Sequence, residues 1–282
     1  MIKKYISITK PGIIFGNIIT VAGGFFLASN NYIDWLLFST TLLGIALVIA
    51  SGCVFNNIID RDIDRLMERT KNRVMVHGLL SKKIAFFYAV VLMLGGSILL
   101  YRANALTLEV ALVGLFFYVI VYTLAFKRNS VYGTLVGSVS GAVPPLVGYC
   151  AVRNSIDAGA VILFLILTIW QMPHSYAIAI FRFKDYKAAN IPVLPIKKGA
   201  MRAKISILIH TILFLLASTQ LYFWNYAGVY YLVASIIVST WWIILAIKGF
   251  FAKNDEIWAR KLFGFSIVIV MVLSFMMSVN TI

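Results

Sequence analysis

Apolar residues run along this chain in long blocks separated by short polar gaps. A helix needs about 20 mostly apolar residues to cross a bilayer's hydrocarbon core. Blocks of that kind fall at 11–33, 35–59, 84–101, 105–126, 131–152 and 158–181, with a last one at 262–280. The run 205–247 is too long for one crossing. It divides at Trp224-Asn225-Tyr226-Ala227-Gly228 into 205–223 and 227–247, because aromatic and turn-forming residues suit a membrane interface. The pattern predicts an all-α, polytopic membrane protein with nine transmembrane helices, folded as a single domain over 1–282.

Composition sharpens this. The chain is 61% hydrophobic and 12% charged, against about 45–50% and about 25% in soluble domains. A net charge of +15 would suit nucleic acid only if it formed a basic face on a soluble fold. Here the basic residues lie in the gaps between apolar runs, so no nucleic-acid partner is expected. With the N-terminus inside, 23 of the 25 Lys and Arg residues fall in cytoplasmic segments, and Arg102 and Arg153 are the exceptions. Such a bias sets orientation, so the N-terminus is expected to be cytoplasmic. Cys53 and Cys150 lie inside apolar runs and read as small buried residues. No small-residue cleavage site follows a short apolar stretch near Met1, so the first run reads as a retained helix. Helices two and six each end in acids followed by a basic loop, four helices apart, which hints at two four-helix units plus a ninth helix.

The densest chemistry lies at the end of the second helix. Asn56, Asp60 and Asp64 are spaced i, i+4, i+8 and form one stripe about 12 Å long if the helix continues; Asp62 points elsewhere. Like charges at i, i+4 repel, and a divalent cation is the simplest compensation. Hard oxygen ligands suit Mg²⁺, which typically binds one or two carboxylates plus substrate phosphates. Arg65, Arg69, Lys71 and Arg73 follow at once. Bases beside a carboxylate stripe fit a metal-bridged polyanion such as a diphosphate. The bland alternative is a solvated loop of paired charges, which the like pair Asp60–Asp64 argues against.

A second signal runs from Trp170 through Pro173 and His174 to Arg182, Lys184, Asp185 and Tyr186. On a continuous helix His174, Ile178, Arg182 and Asp185 share a face, with His174 about 16 Å deeper than Asp185. Pro173 predicts a local kink. His174 is open between a hydrogen-bonded packing role and a functional one. His210 reads as a packing residue and His77 as a solvated or minor anion contact. Pro144 and Pro145 among Gly137, Gly141 and Gly148 read as a kinked, closely packed fifth helix. Asn17, Tyr122 and Tyr176 are candidates to line a cavity.

The motif Asn56-x-x-x-Asp60-x-x-x-Asp64 and four stretches carry a resemblance: Thr9-Lys10-Pro11-Gly12, Asp60 to Arg73, Ser130 to Thr134, and Trp170 through Asp185-Tyr186 to Leu194-Pro195. Together they resemble the intramembrane prenyltransferase (UbiA) superfamily, in particular its haem-acting branch. The likeness implies nine helices around a central cavity, in the bacterial cytoplasmic (inner) membrane, with the active site facing the cytoplasm. It implies Mg²⁺, farnesyl diphosphate as donor and haem B as the substrate that accepts the prenyl group, with association with haem A synthase or terminal oxidase assembly. Carried over, Asn56, Asp60, Asp64 and Asp185 would hold the metal, and Asp60, Asp64, Asp185 and His174 would serve catalysis. Asn56, Arg69, Lys71, Arg73, Arg182 and Lys184 would bind diphosphate. The sequence departs from quinone-type members at the second segment, where His174 stands near their first aspartate and only Asp185 remains. A quinone-precursor prenyltransferase and a transporter are the rival readings. Acids confined to one end of the helices weigh against transport.

Overall fold

The computed structural model describes residues 2–29 and 32–279. A short helix, α1 (Ile2–Ile8), precedes the first span, α2 (Pro11–Ala28). The second span is α3 (Trp35–Ile59), followed after one hinge residue by the short α4 (Arg61–Leu66). The third is α5 (Lys82–Ala103); the fourth begins as α6 (Ala105–Phe116) and continues as a π-helix over Phe117–Phe126. α7 (Gly133–Arg153) and α8 (Ala158–Phe181) are the fifth and sixth, and the short α9 (Phe183–Ala188) follows. α10 (Leu194–Phe223), α11 (Val229–Lys248) and α12 (Asp255–Val279) complete nine membrane-length helices among the described residues. The chain is a multi-pass membrane protein.

The helix starts are written in polar residues. Asp34, Ser81, Asn104 and Asp157 each accept a backbone N–H of the following first turn, satisfying donors that a helix leaves orphaned. α7 lies at the centre, packed against α2, α6 and α8, and α8 in turn packs against α10 and α12. The α2–α7 crossing is close because side chains are missing there. A Cβ on Gly24 would overlap the Pro145 carbonyl, and one on Gly148 the Val21 carbonyl, as expected where small residues let membrane helices approach. Large apolar side chains such as Phe87, Ile98, Leu216, Ile237 and Phe275 stay exposed on the outer faces, where lipid tails replace water.

Several boundaries differ from expectation. The first span ends at Ala28 and not at 33, since the chain is extended at Asp34 to cap α3; Asn30 and Asn31, within the expected 11–33, lie outside the described residues. The seventh span starts at Leu194, 11 residues before the expected 205, broken at Gly199, whose φ of 82° is non-helical. The ninth starts at Asp255, not 262; residue 280 lies outside the described residues. These extensions are polar turns, which a search for apolar runs cannot register. α7 and α8 remain continuous helices through Pro144, Pro145 and Pro173.

Candidate active site

At one end of the bundle the second span delivers its stripe, but not as one helix. α3 stops at Asp60 (φ −84°, ψ 4°), and α4 restarts at Arg61. The i, i+4 ladder survives the hinge: Asp60 N–H donates to Asn56 O and Asp64 N–H to Asp60 O, each at 2.8 Å. Asn56, Asp60 and Asp64 are therefore all buried together, as the spacing predicted. Asp62 points away, with its carboxylate 67% exposed.

Buried carboxylates need partners, and here each has a cation. Arg73 Nη1 donates to Asp64 Oδ2 at 2.6 Å. Lys127 pairs with Asp60 Oδ2, which also accepts from Asn56 Nδ2 at 2.7 Å. Lys10 donates to Asn56 Oδ1. Arg128 forks onto Asp62 at 2.7 and 2.8 Å and reaches Asp60 at 3.5 Å. That fork holds the Asp62 carboxyl below its usual range, and raises Arg128 in return. Burial pushes the Lys10 ammonium down to about 8, helped by the nearby charges of Arg73 and Lys127 and opposed by Cys53 and Asp64. Lys10 holds a left-handed backbone (φ 54°), which is costly for a residue with a Cβ.

The π-helix explains how the fourth span joins this cluster. At about 100° per residue an α-helix would put Tyr118 and Lys127 on roughly opposite faces. The wider i→i+5 turn instead brings Tyr118, Tyr122 and Lys127 to one cavity. Thr123 Oγ1 donates to the Tyr118 carbonyl at 2.8 Å and accepts from Asn56 Nδ2 at 3.2 Å, tying the π-turn to the stripe.

That cavity holds about 700 Å³. Its mouth carries Lys10, Asn56, Asp64, Arg69, Arg73, Lys127 and Tyr186. Its depth is lined by Trp170, Gln171, His174, Phe263 and apolar residues of α2 and α12. His174 stacks on Trp170 at 4.6 Å and leans on Phe263 at 4.7 Å. Its Nδ1 lies 2.7 Å from Ser266 Oγ. A charged mouth over an aromatic, apolar depth fits an amphiphile with an anionic head. The hard oxygens also fit one divalent cation. Asp64 Oδ1 makes no hydrogen bond among the described residues, and no three His, Cys, Asp or Glu side chains there group as a complete metal site. Donor phosphates would have to complete the shell, which is the usual arrangement for Mg²⁺.

Residues 17–274 match the model of the UbiA prenyltransferase family. The chain belongs to the UbiA prenyltransferase family. As a UbiA-family member it is a prenyl-transferring enzyme. It is 59% identical over 281 residues to the protoheme IX farnesyltransferase of Photorhabdus laumondii, covering 99% of this chain and 96% of the relative. The enzyme of the same name from Yersinia pseudotuberculosis is also 59% identical, over 99% and 95% of the two chains. Among solved structures, digeranylgeranylglyceryl phosphate synthase shares the UbiA fold with a TM-score of 0.80 and 22% identity, over 99% and 98% of the chains. A UbiA homolog from Archaeoglobus fulgidus, bound to GPP and Mg²⁺, aligns with a TM-score of 0.68 at 15% identity, over 98% and 99%.

Within this UbiA fold the residues singled out in the sequence separate into two groups. Asn56, Asp64, Arg69 and Arg73 meet at the mouth, and Asn17, Tyr122 and His174 line the same cavity; Asp60 is fully buried behind them and reaches the mouth through its partners Asn56 and Lys127. Arg69 and Arg73 do so from turns after α4, not from a continued helix. Lys71 pairs with Glu68 at 2.6 Å on the surface. The single face expected from His174 to Asp185 is broken at Arg182 (φ −106°, ψ 22°). Consequently Arg182 lies over the Phe181 ring at 5.5 Å, Lys184 is exposed, and neither lines the cavity. Tyr176 is buried edge-on to His210, away from the cavity. Asp185 is buried and accepts the Glu68 N–H at 2.9 Å, tying α9 to the loop after α4. Lys10, Tyr118, Lys127 and Tyr186 were missed as site residues. The two lysines had already been explained by topology; Tyr186, held up in pKa by burial, carried no spacing signal.

Proposed function

We propose that this enzyme transfers the farnesyl group of farnesyl diphosphate to a vinyl group of haem B, giving haem O. The observation that carries the reading is the cavity itself. One continuous space joins a mouth with the Asp64 carboxylate and several cations to an aromatic depth holding a histidine, in a chain 59% identical over its length to protoheme IX farnesyltransferases.

In this reading Asn56, Asp60 and Asp64 hold Mg²⁺ and the donor's diphosphate, and Asp185 braces the loop beside them. A divalent cation bound there would supply positive charge to the departing diphosphate. Arg73, Arg69, Lys10 and Lys127 surround the leaving group, and fixed cations in a water-poor site stabilise charge that develops as the carbon–oxygen bond breaks. Tyr118, Tyr122 and Trp170 line the same cavity, and aromatic rings there would stabilise the allylic carbon as it becomes cation-like. The vinyl group attacks that carbon, and water adds to the resulting cation with loss of a proton. Haem B, farnesyl diphosphate and water thus give haem O and diphosphate. We place the mouth on the cytoplasmic side of the inner membrane, supported by the bias of Lys and Arg.

Purified protein incubated with haem B, farnesyl diphosphate and Mg²⁺ should form haem O and release diphosphate, read by mass spectrometry. Prenylation of a quinone precursor without any haem product would overturn the reading. Orientation is checked separately: a cysteine at Asn154 should react with an impermeant thiol reagent outside intact cells, and one at Lys198 should not.

A further inference from the structure

Three bonds converge on Ser266 of α12, and their directions can be counted. Ser266 Oγ donates its one proton to the Phe263 carbonyl at 2.6 Å. Its backbone carbonyl accepts the Trp170 indole N–H at 2.9 Å. Oγ also lies 2.7 Å from His174 Nδ1. A hydroxyl has one proton, and Phe263 takes it. With that proton on Phe263, the network assigns the hydrogen of the remaining bond to His174, and so the ring proton to Nδ1. Nε2 then carries a lone pair, makes no hydrogen bond among the described residues, and belongs to a residue that lines the cavity. Trp170 and Phe263 lie against the imidazole and hold its plane. No ion pair among the described residues involves His174, so no carboxylate is at hand to support an imidazolium. That weighs against a proton-shuttling pair and for a ligand, because neutral imidazole is the metal-binding form.

We propose that Ser266 is a positioning residue that locks His174 in the Nδ1–H form, so that Nε2 serves as the axial ligand of the acceptor's iron. The assignment rests on haem being the acceptor. It gives the enzyme a means of choosing metalloporphyrin over other flat apolar molecules, and of setting the depth at which the ring is held beneath the diphosphate. A histidine ligand normally has its other N–H fixed by such a partner, and loss of the partner typically costs ten- to a hundredfold in metal affinity.

The test is titration of purified enzyme in nanodiscs with ferric haem B and, in parallel, with metal-free protoporphyrin IX. Absorption and electron paramagnetic resonance report the ligation. The expected result is a histidine-ligated spectrum in wild type that is lost in His174→Ala and restored by added imidazole. Ser266→Ala should keep that spectrum but bind haem about tenfold more weakly, while protoporphyrin binding changes less than twofold in both variants. An unchanged spectrum in His174→Ala overturns ligation, and so does equal weakening of haem and protoporphyrin, which would make the residue packing only. In either case wild type still forming haem O leaves the proposed function standing. Wild type that binds farnesyl diphosphate but takes up no haem overturns both.

Discussion

The two acidic segments occupy equivalent places after the second and sixth spans, yet their carboxylates have different partners. Asp60 and Asp64 are buried, and each is matched by a cation that belongs to the cavity mouth, Lys127 or Arg73. Asp185 is buried as well, but its recorded partner is a backbone N–H, that of Glu68. In the proposed reaction the first segment would hold charge where charge develops; the second ties the loop after α4 to α9. Burial of an acid therefore says little about its role until its partner is known. An ammonium or guanidinium at the mouth can exchange a carboxylate for a phosphate, whereas the Glu68 amide belongs to a residue outside the cavity lining and holds its loop to α9.

The comparison breaks most visibly at Asp64. Asp64→Asn should lower turnover about a thousandfold in protein that remains folded by circular dichroism, measured as haem product per enzyme. Asp185→Asn retains an oxygen to accept the Glu68 N–H and should keep at least about a tenth of wild-type turnover. Equal losses in the two variants would erase the distinction between charge-holding and loop-holding acids. Next in size is Arg73→Lys, which keeps the charge but loses the fork that suits phosphate. It should lower kcat/KM for farnesyl diphosphate about tenfold, seen in steady-state kinetics with haem saturating. Lys71→Gln, which removes only a surface pair with Glu68, should stay within about twofold of wild type. Smallest of all, Asp62→Asn should change turnover less than about twofold, because its carboxylate is exposed and engages Arg128 outside the cavity. A large Asp62 effect would mean that Arg128 needs that fork to reach Asp60.

The spans were legible because hydrocarbon thickness imposes a length on apolar runs. Trp35–Ile59 and Ala158–Phe181 were read to the residue. The early start of α10 was not, since Lys197, Lys198, Arg202 and Lys204 give its first turns a polar composition. The Asn56, Asp60, Asp64 stripe was legible because i, i+4 spacing outlasts a one-residue hinge. The same reasoning failed from His174 to Asp185, where the hinge at Arg182 turns the chain. Lys10 and Lys127 were invisible for a different reason: membrane topology accounts for any basic residue at a helix end, leaving nothing over to signal a site. Ser266 is a small residue in an apolar helix, and only the direction of its bonds sets it apart.

The π-helix of the fourth span makes this site depend on counting as well as on identity. Its wider turn accommodates a residue that an α-helix would not. Deleting Val121 removes no polar group and no member of the cluster. If the segment then relaxes to an ordinary helix, the eight remaining steps of about 100° set Lys127 about 80° around the axis from Tyr118. Lys127 would swing away from Asp60 and Arg128 from Asp62, and the loop 129–132 would re-enter the bundle at another angle. In this stretch a missing residue is a more damaging lesion than a wrong one, and the span is, in effect, a spacer whose length is set by the number of residues rather than by their chemistry.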